Sequence, residues 1–248
     1  MARVIVPIPA CDFDPTETGV PWQVLDAAGH EVAFATPDGR PGRADPRMLD
    51  GNGLGPLKPL LIADRRARDA YEQMSASAAF RRPLAWPDPA LDRFDGLLLP
   101  GGHAPGMRAY LESARLQSLV VQAFAQGKPV AAICHGVLLA ARSRGADGRS
   151  VLHGRRTTAL TRALEMSAWG LTCLWLGSYY RTYPQTVEAE VRAALAKPAD
   201  FVSGPLALRR DAPGHLEAGF TVRDGNYLSA RWPGDAHRFA TEFAAMLA

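Results

Sequence analysis

The residue best suited to chemistry is Cys134, which stands between two apolar runs. Residues 128–141 read KPVAAICHGVLLAA. The first run predicts a buried strand over 129–133 and the second a helix over 136–144, so Cys134 falls on a sharp strand-to-helix turn. Such turns face the ligand-binding edge of open α/β sheets, and helix N–H groups stabilise a reactive thiolate. Buried cysteines that only pack are also common in strands, so spacing alone leaves a nucleophile and a structural thiol as alternatives.

A pair of glycines, Gly101 and Gly102, follows an earlier apolar run, and residues 97–107 read LLLPGGHAPGM. Glycine lets the backbone bend tightly and present N–H groups to a substrate oxygen. The turn therefore suits part of an oxyanion hole, although an ordinary loop would have the same composition. His103, which follows the pair, is expected to line the pocket.

Alternating strands and helices must position these two turns. Strands are predicted at 3–8, 31–36, 96–99 and 129–133, helices at 22–28, 111–126, 136–144 and 236–247, and a hairpin at 220–230. This alternation predicts an α/β fold, a three-layer sandwich with a mostly parallel central sheet and helices on both faces, of the flavodoxin-like kind.

Two stretches exceed a minimal βα repeat. Residues 40–91 are rich in Pro, Gly, Arg and Asp, with a helical piece near 63–79, and residues 161–197 carry several aromatic residues. Neither stretch has the apolar periodicity of an independent core. We therefore expect one domain over residues 1–248, with insertions near 40–91 and 161–197 that cover the sheet or the site. The aromatic residues Trp169, Tyr179 and Tyr180 either wall the pocket or pack.

Composition excludes several classes of function. The net charge is only +3, without a basic run, so nucleic acid is not an expected partner. No apolar stretch approaches the roughly 20 residues of a membrane span, and we expect a soluble, cytoplasmic protein with no membrane partner. Cys11, Cys134 and Cys173 suit free thiols, with Cys11 and Cys173 expected mainly in packing. No His or Cys spacing is typical of a metal site.

Together the two turns resemble the ThiJ/PfpI superfamily, within the class I glutamine-amidotransferase-like fold. The resemblance rests on GGH at 101–103 and AICHG at 132–136, supported by DGLLLPGG at 95–102 and SARWP at 229–233. The insertion before the glycine pair is similar to the longer chaperone and glyoxalase branch. The resemblance covers nearly the whole chain and is weakest over 179–219.

This resemblance implies roles for further residues. It implies a glutamate within reach of the cysteine sulfur, and the matching residue is Glu17, with Asp14 as the nearby alternative. A protonated Glu17 would donate to the thiolate and move protons, although a helix-start carboxylate is also favoured by the helix dipole. His135 is implied as an acid or base oriented by a third carboxylate. We assign Glu165 to that role, with an exposed helix-start glutamate as the alternative.

The resemblance also implies an activity. The longer branch is associated with glyoxalase III, which would use a hemithioacetal on Cys134 to turn a small 2-oxoaldehyde into a 2-hydroxy acid. The N–H groups of Gly102 and His135 would hold the oxyanion, and neither metal nor cofactor would be needed. A cysteine peptidase or amidase is the alternative within enzymes, and a holdase chaperone or redox-stress protein is the alternative outside them. A homodimer is expected.

Overall fold

Seven strands form one sheet in the computed structural model, which describes residues 1–86, 90–206 and 209–248. In these parts of the chain the strands are β1 (Arg3–Pro7), β2 (Cys11–Phe13), β3 (Glu31–Thr36), β4 (Arg43–Ala44), β5 (Leu84–Ala85), β6 (Gly96–Leu99), β7 (Val130–Ile133), β8 (Thr221–Asp224) and β9 (Tyr227–Ala230). The sheet order is β5-β3-β1-β6-β7-β9-β8. All neighbours pair in parallel except β8 and β9, which form the expected antiparallel hairpin. A separate parallel pair joins β2 and β4.

The central strands are continuous apolar runs because both of their faces are covered. Every residue of β6, β7 and β9 is buried, as is usual for a parallel sheet packed between layers of helices. One group of packed helices comprises α1 (Pro15–Ala27), α4 (Arg65–Ala76) and α11 (Ala236–Met246), and another comprises α7 (Ala114–Ala125), α8 (Gly136–Arg142) and α10 (Val187–Ala194). The predicted α/β class with a mostly parallel sheet is therefore confirmed.

The helices of the described residues are α1 (Pro15–Ala27), α2 (Pro46–Asp50), α3 (Lys58–Leu61), α4 (Arg65–Ala76), α5 (Ala78–Arg81), α6 (Met107–Leu111), α7 (Ala114–Ala125), α8 (Gly136–Arg142), α9 (Arg162–Leu176), α10 (Val187–Ala194) and α11 (Ala236–Met246). Of these, α1 starts well before the predicted residue 22. Asp14 caps it by accepting hydrogen bonds from the N–H groups of Thr16 and Glu17, and Pro15 fits the first helical position. The helix predicted over 111–126 is α7, which begins at Ala114 because Ser113 caps its start, while Leu111 ends the short helix α6. None of the helices in the described ranges is long and apolar enough to cross a membrane.

The two predicted insertions pack against each other. Met48 and Leu54 from the first form a small buried cluster with Tyr180 from the second. The first insertion also supplies β5, which extends the main sheet beside β3. The insertions therefore build a cover of their own, and the expectation of a single domain stays a prediction.

Candidate active site

Cys134 lies on a strained turn between β7 and α8. Its φ angle is 56°, in the left-handed region that residues other than glycine rarely adopt. The turn crosses close over the end of β6, because a Cβ atom on Gly136 would lie 2.2 Å from the carbonyl oxygen of Leu99. Strain of this kind persists only where the surroundings fix the backbone, and it is common at functional sites. The predicted strand-to-helix turn is thus present, with the sulfur at the carboxyl end of a central strand.

Glu17, in the first turn of α1, is brought to this turn. Its side chain is fully buried, and a Cβ atom on Gly101 would lie 2.5 Å from Glu17 Oε2 and 2.8 Å from the backbone nitrogen of His135. Burial raises the pKa of Glu17 well above its ordinary value, and the nearby charge of Asp14 raises it further. Glu17 is therefore suited to hold a proton at neutral pH.

The pKa of the Cys134 thiol is set mainly by burial and by the charge of Glu17. Burial raises its pKa well above the ordinary value, and negative charge on Glu17 and Asp14 adds to the effect. The backbone N–H of His135 lowers the same pKa, because it donates toward the sulfur. When Glu17 keeps its proton, its charge no longer opposes the thiolate. The two groups therefore titrate as a coupled pair.

His135 contacts the sulfur on one side and a hydroxyl on the other. Its Nδ1 lies 3.5 Å from Cys134 Sγ, and its Nε2 lies 3.1 Å from Thr182 Oγ1. Thr182 donates its own hydrogen to the carbonyl oxygen of His103 at 2.6 Å. Burial lowers the pKa of His135 to about 3, and the charges of His103 and Arg142 act in the same direction. His135 is therefore a neutral imidazole at ordinary pH.

Glu165 does not contact His135. Its Oε2 accepts a hydrogen bond from the N–H of Val187 at 2.9 Å, and its Oε1 lies 3.3 Å from Nε of Arg181. It is also buried, not exposed as the alternative assignment expected. The partner of His135 within the described residues is Thr182, which sequence reasoning missed. It is not an acid, and it lies in the part of the chain where the resemblance is weakest.

The glycine turn lies across from Cys134, as the chemistry of an oxyanion hole needs. Gly102 has a φ of 151° and borders the same cavity as the sulfur. Among the described residues, the N–H groups of Gly102 and His135 donate no hydrogen bond to another carbonyl. The N–H of Gly102 is therefore available to a bound oxygen, whereas the N–H of His135 donates toward the sulfur of Cys134.

His103 stacks on Tyr180, with ring centres 4.3 Å apart and planes 19° apart. Tyr179 meets the same imidazole edge-on and donates to Asp45, which also lies 3.8 Å from Nε2 of His103. Burial lowers the pKa of His103 to about 4. His103 therefore contributes a neutral ring to the cavity wall.

A cavity of about 270 Å³ opens above the sulfur. Its floor is polar and includes Asp14, Glu17, Gly102 and Cys134. Its outer wall is largely apolar and is supplied by both insertions and neighbouring loops, through Met48, Leu60, Leu61, Leu160, Leu164, Ala168, Leu171 and Trp232. Cys11 and Cys173 do not line this cavity. Across the described ranges, no group of three or more His, Cys, Asp or Glu side chains is arranged to hold a metal.

The parallel sheet and the tight strand-to-helix turn at Cys134 place this molecule among α/β proteins that carry a nucleophile elbow. A family model described as ThiJ/PfpI family-like matches residues 8–205, and the chain belongs to this family. The resemblance noted in the sequence is thereby confirmed.

Curated relatives are similar over part of the chain. A deglycase from Pyrococcus abyssi is 30% identical over 170 residues, which cover 66% of this chain and 69% of that protein. A glutathione-independent glyoxalase from Schizosaccharomyces pombe is 26% identical over 59% of this chain and 58% of that protein. An uncharacterized protein from the same yeast is 33% identical, but the match spans only 43% of its length. Among solved structures, glyoxalase III from Candida albicans superposes with a TM-score of 0.64 at 18% identity, covering 99% of this chain and 97% of that one, which shows a shared fold.

Proposed function

We propose that this protein is a cysteine-dependent enzyme that converts small 2-oxoaldehydes to 2-hydroxy acids without a cofactor. The observation that carries the proposal is that Cys134 and Glu17 lie at the floor of a cavity of about 270 Å³, with Nδ1 of His135 3.5 Å from the sulfur. Such a cavity suits a small molecule better than an extended polypeptide. The similarity to proteins named deglycase and glyoxalase supports chemistry on reactive carbonyls.

The first step uses the thiolate of Cys134. Its sulfur attacks the aldehyde carbon and forms a C–S bond, while the aldehyde oxygen becomes an alkoxide held by the N–H group of Gly102. Protonation of this oxygen gives a hemithioacetal. In the attacking form the proton shared by the pair is on Glu17, and His135 stays a neutral ring beside the sulfur because burial lowers its pKa to about 3.

The second step moves a proton between two carbons. A base removes the hydrogen from the former aldehyde carbon, the adjacent ketone becomes an enediol, and a proton returns to that second carbon, which leaves a thioester. We assign this transfer to Glu17, which is buried beside the sulfur. Glu17 gives its proton to the alkoxide in the first step, and the resulting carboxylate then takes the proton from one carbon and returns it to the other. Water then breaks the C–S bond, which releases the 2-hydroxy acid and restores the thiol.

The test is lactate formation from methylglyoxal by wild type and by Cys134→Ala, with Cys173→Ala as the matched control thiol. We expect Cys134→Ala to be inactive and Cys173→Ala to keep wild-type turnover. Normal turnover by Cys134→Ala would exclude the nucleophile. Peptide hydrolysis lost with Cys134 would favour the peptidase alternative, and aggregation suppression kept in Cys134→Ala without turnover would favour a chaperone.

A further inference from the structure

The cavity above Cys134 contains hydrogen-bond donors that have no acceptor. Within the described residues, Arg210 Nη1, Trp232 Nε1 and the hydroxyl of Tyr180 are buried without a partner. All three residues line the cavity. Buried donors without acceptors are costly, so a set of three around one cavity indicates a ligand that brings acceptors.

Arg210 is held in place by contacts with neutral groups. Its Nη2 donates to the carbonyl oxygen of Ile62 at 3.2 Å, and its guanidinium carbon lies 5.7 Å from the ring centre of Trp232. None of the ion pairs between described residues includes Arg210. The cation is therefore fixed at the cavity with an N–H left over.

The carboxyl groups among the described residues of the cavity form no ion pair with Arg210. Oδ1 of Asp14 accepts from the N–H groups of Thr16 and Glu17, and the positive charge of Arg210 acts on Asp14 only from a distance, where it opposes the rise of the Asp14 pKa caused by burial. Glu165 is engaged by Val187 and Arg181. Nη1 of Arg210 is therefore left to be met by a ligand.

We propose that the substrate carries a carboxylate at the end remote from its aldehyde, and that Arg210 binds this carboxylate with help from Tyr180 and Trp232. A carboxylate offers two acceptor oxygens, and guanidinium is the cation that best matches it. The leucines of the outer wall contact the short aliphatic chain between the two ends. This inference rests on the proposed 2-oxoaldehyde activity and names the substrate class for the same site.

The kinetic test compares 4,5-dioxopentanoate, a 2-oxoaldehyde with a terminal carboxylate, with 2-oxopentanal, which has the same chain length without it. We expect kcat/KM for the acid to exceed that for the neutral aldehyde by about tenfold or more in wild type. The ratio should fall to about one in Arg210→Met and stay intermediate in Arg210→Lys. Arg209→Met, which removes the exposed neighbouring cation, should keep the wild-type ratio.

A binding measurement separates this inference from the proposed activity. Calorimetry on Cys134→Ala, which cannot react, would compare phenylacetate with its neutral isostere phenylacetamide. We expect phenylacetate to bind more tightly, with the preference lost when Arg210→Met is added and reduced by Tyr180→Phe, which keeps the stacked ring.

A wild-type protein that turns over neither aldehyde but binds phenylacetate through Arg210 would overturn the activity and keep the carboxylate site. Equal binding of both probes, or a preference unchanged in both Arg210→Met and Tyr180→Phe, would overturn the carboxylate site itself.

Discussion

The hydroxyl of Thr182 fixes the tautomer of His135. Because Thr182 donates its only hydrogen to the carbonyl of His103, its oxygen can only accept from His135, at 3.1 Å from Nε2. The hydrogen of the imidazole is thus on Nε2, and the lone pair of Nδ1 faces the sulfur of Cys134 at 3.5 Å. A carboxylate in the place of Thr182 would orient the ring equally well, but it would also stabilise the imidazolium.

Loss of this hydroxyl should weaken catalysis without unfolding the protein. Thr182→Val keeps the branched shape and removes the acceptor, so we expect kcat/KM to fall about tenfold to a hundredfold because the ring loses its orientation. Thr182→Ser should restore most of the activity. Nitrogen NMR of His135 should show the Nε2–H form in wild type and a tautomer mixture in Thr182→Val. An unchanged tautomer and rate in Thr182→Val would contradict the positioning role.

Substitutions of Glu17 and of Asp14 are expected to have different effects on activity. Glu17→Gln removes the transferable proton, and we expect kcat to fall by about a hundredfold or more. Asp14→Asn keeps an oxygen that can accept from the N–H groups of Thr16 and Glu17, so α1 stays capped and activity should be largely kept. Single-turnover rates with methylglyoxal measure both. The reverse ranking of the two variants would assign the proton transfer to Asp14.

Glu165 should matter for stability and not for catalysis. Glu165→Gln leaves the buried side of Arg181 without its carboxylate, so we expect the free energy of unfolding to fall by about 2 kcal/mol. Because the residue has no contact with His135, kcat/KM should remain close to that of wild type. Denaturant titration and turnover on the same sample check this. A large loss of kcat with unchanged stability would support a catalytic role for Glu165.

The close packing of the Cys134 turn over the end of β6 can be tested by substituting two glycines whose surroundings differ. Gly136→Ala places a methyl group 2.2 Å from the carbonyl oxygen of Leu99, and we expect a loss of about 3 kcal/mol of unfolding free energy. Gly170→Ala in α9 meets nothing within 4 Å and should stabilise the protein by about 0.5–1 kcal/mol. Urea unfolding of both variants is the measurement. Equal stability of the two variants would mean that the elbow does not cross β6 this closely.

The buried His103 predicts a specific dependence of stability on pH. Its pKa is about 4 in the folded protein and near 6.5 when unfolded, so the unfolded chain binds more protons between these values. The contribution of a neutral His103 to stability is therefore present above pH 6.5 and lost as pH falls toward 4. Relative to His103→Phe, which cannot titrate, wild type should lose up to about 3 kcal/mol over this window. Parallel stability curves for the two proteins would contradict the buried, neutral state.

Sequence patterns predicted the parts of the structure that are determined within one short segment of the chain. The apolar run before Cys134 and the glycine after it indicated the elbow, because such a turn can be read within one short segment. The start of α1 was missed, although an aspartate followed by proline, here Asp14 and Pro15, caps and begins a helix.

Contacts between distant segments could not be anticipated in the same way. Glu17 was found only through the family resemblance, since its burial depends on Gly101 from another loop. Thr182 gave no signal, because a lone threonine has no distinctive spacing and reaches His135 only after the second insertion folds over the sheet. Glu165 had the expected chemistry and burial but a different partner.

The cover that the two insertions form over the sheet separates the residues around the thiol from those that form the outer cavity wall. The groups proposed to make and break bonds come from turns next to deeply buried strands, while much of the distal wall of the cavity comes from α3 and α9. Changes in those covering segments would alter which molecules enter without moving the reactive thiol. Substrate preference in this protein can therefore diverge independently of its chemistry.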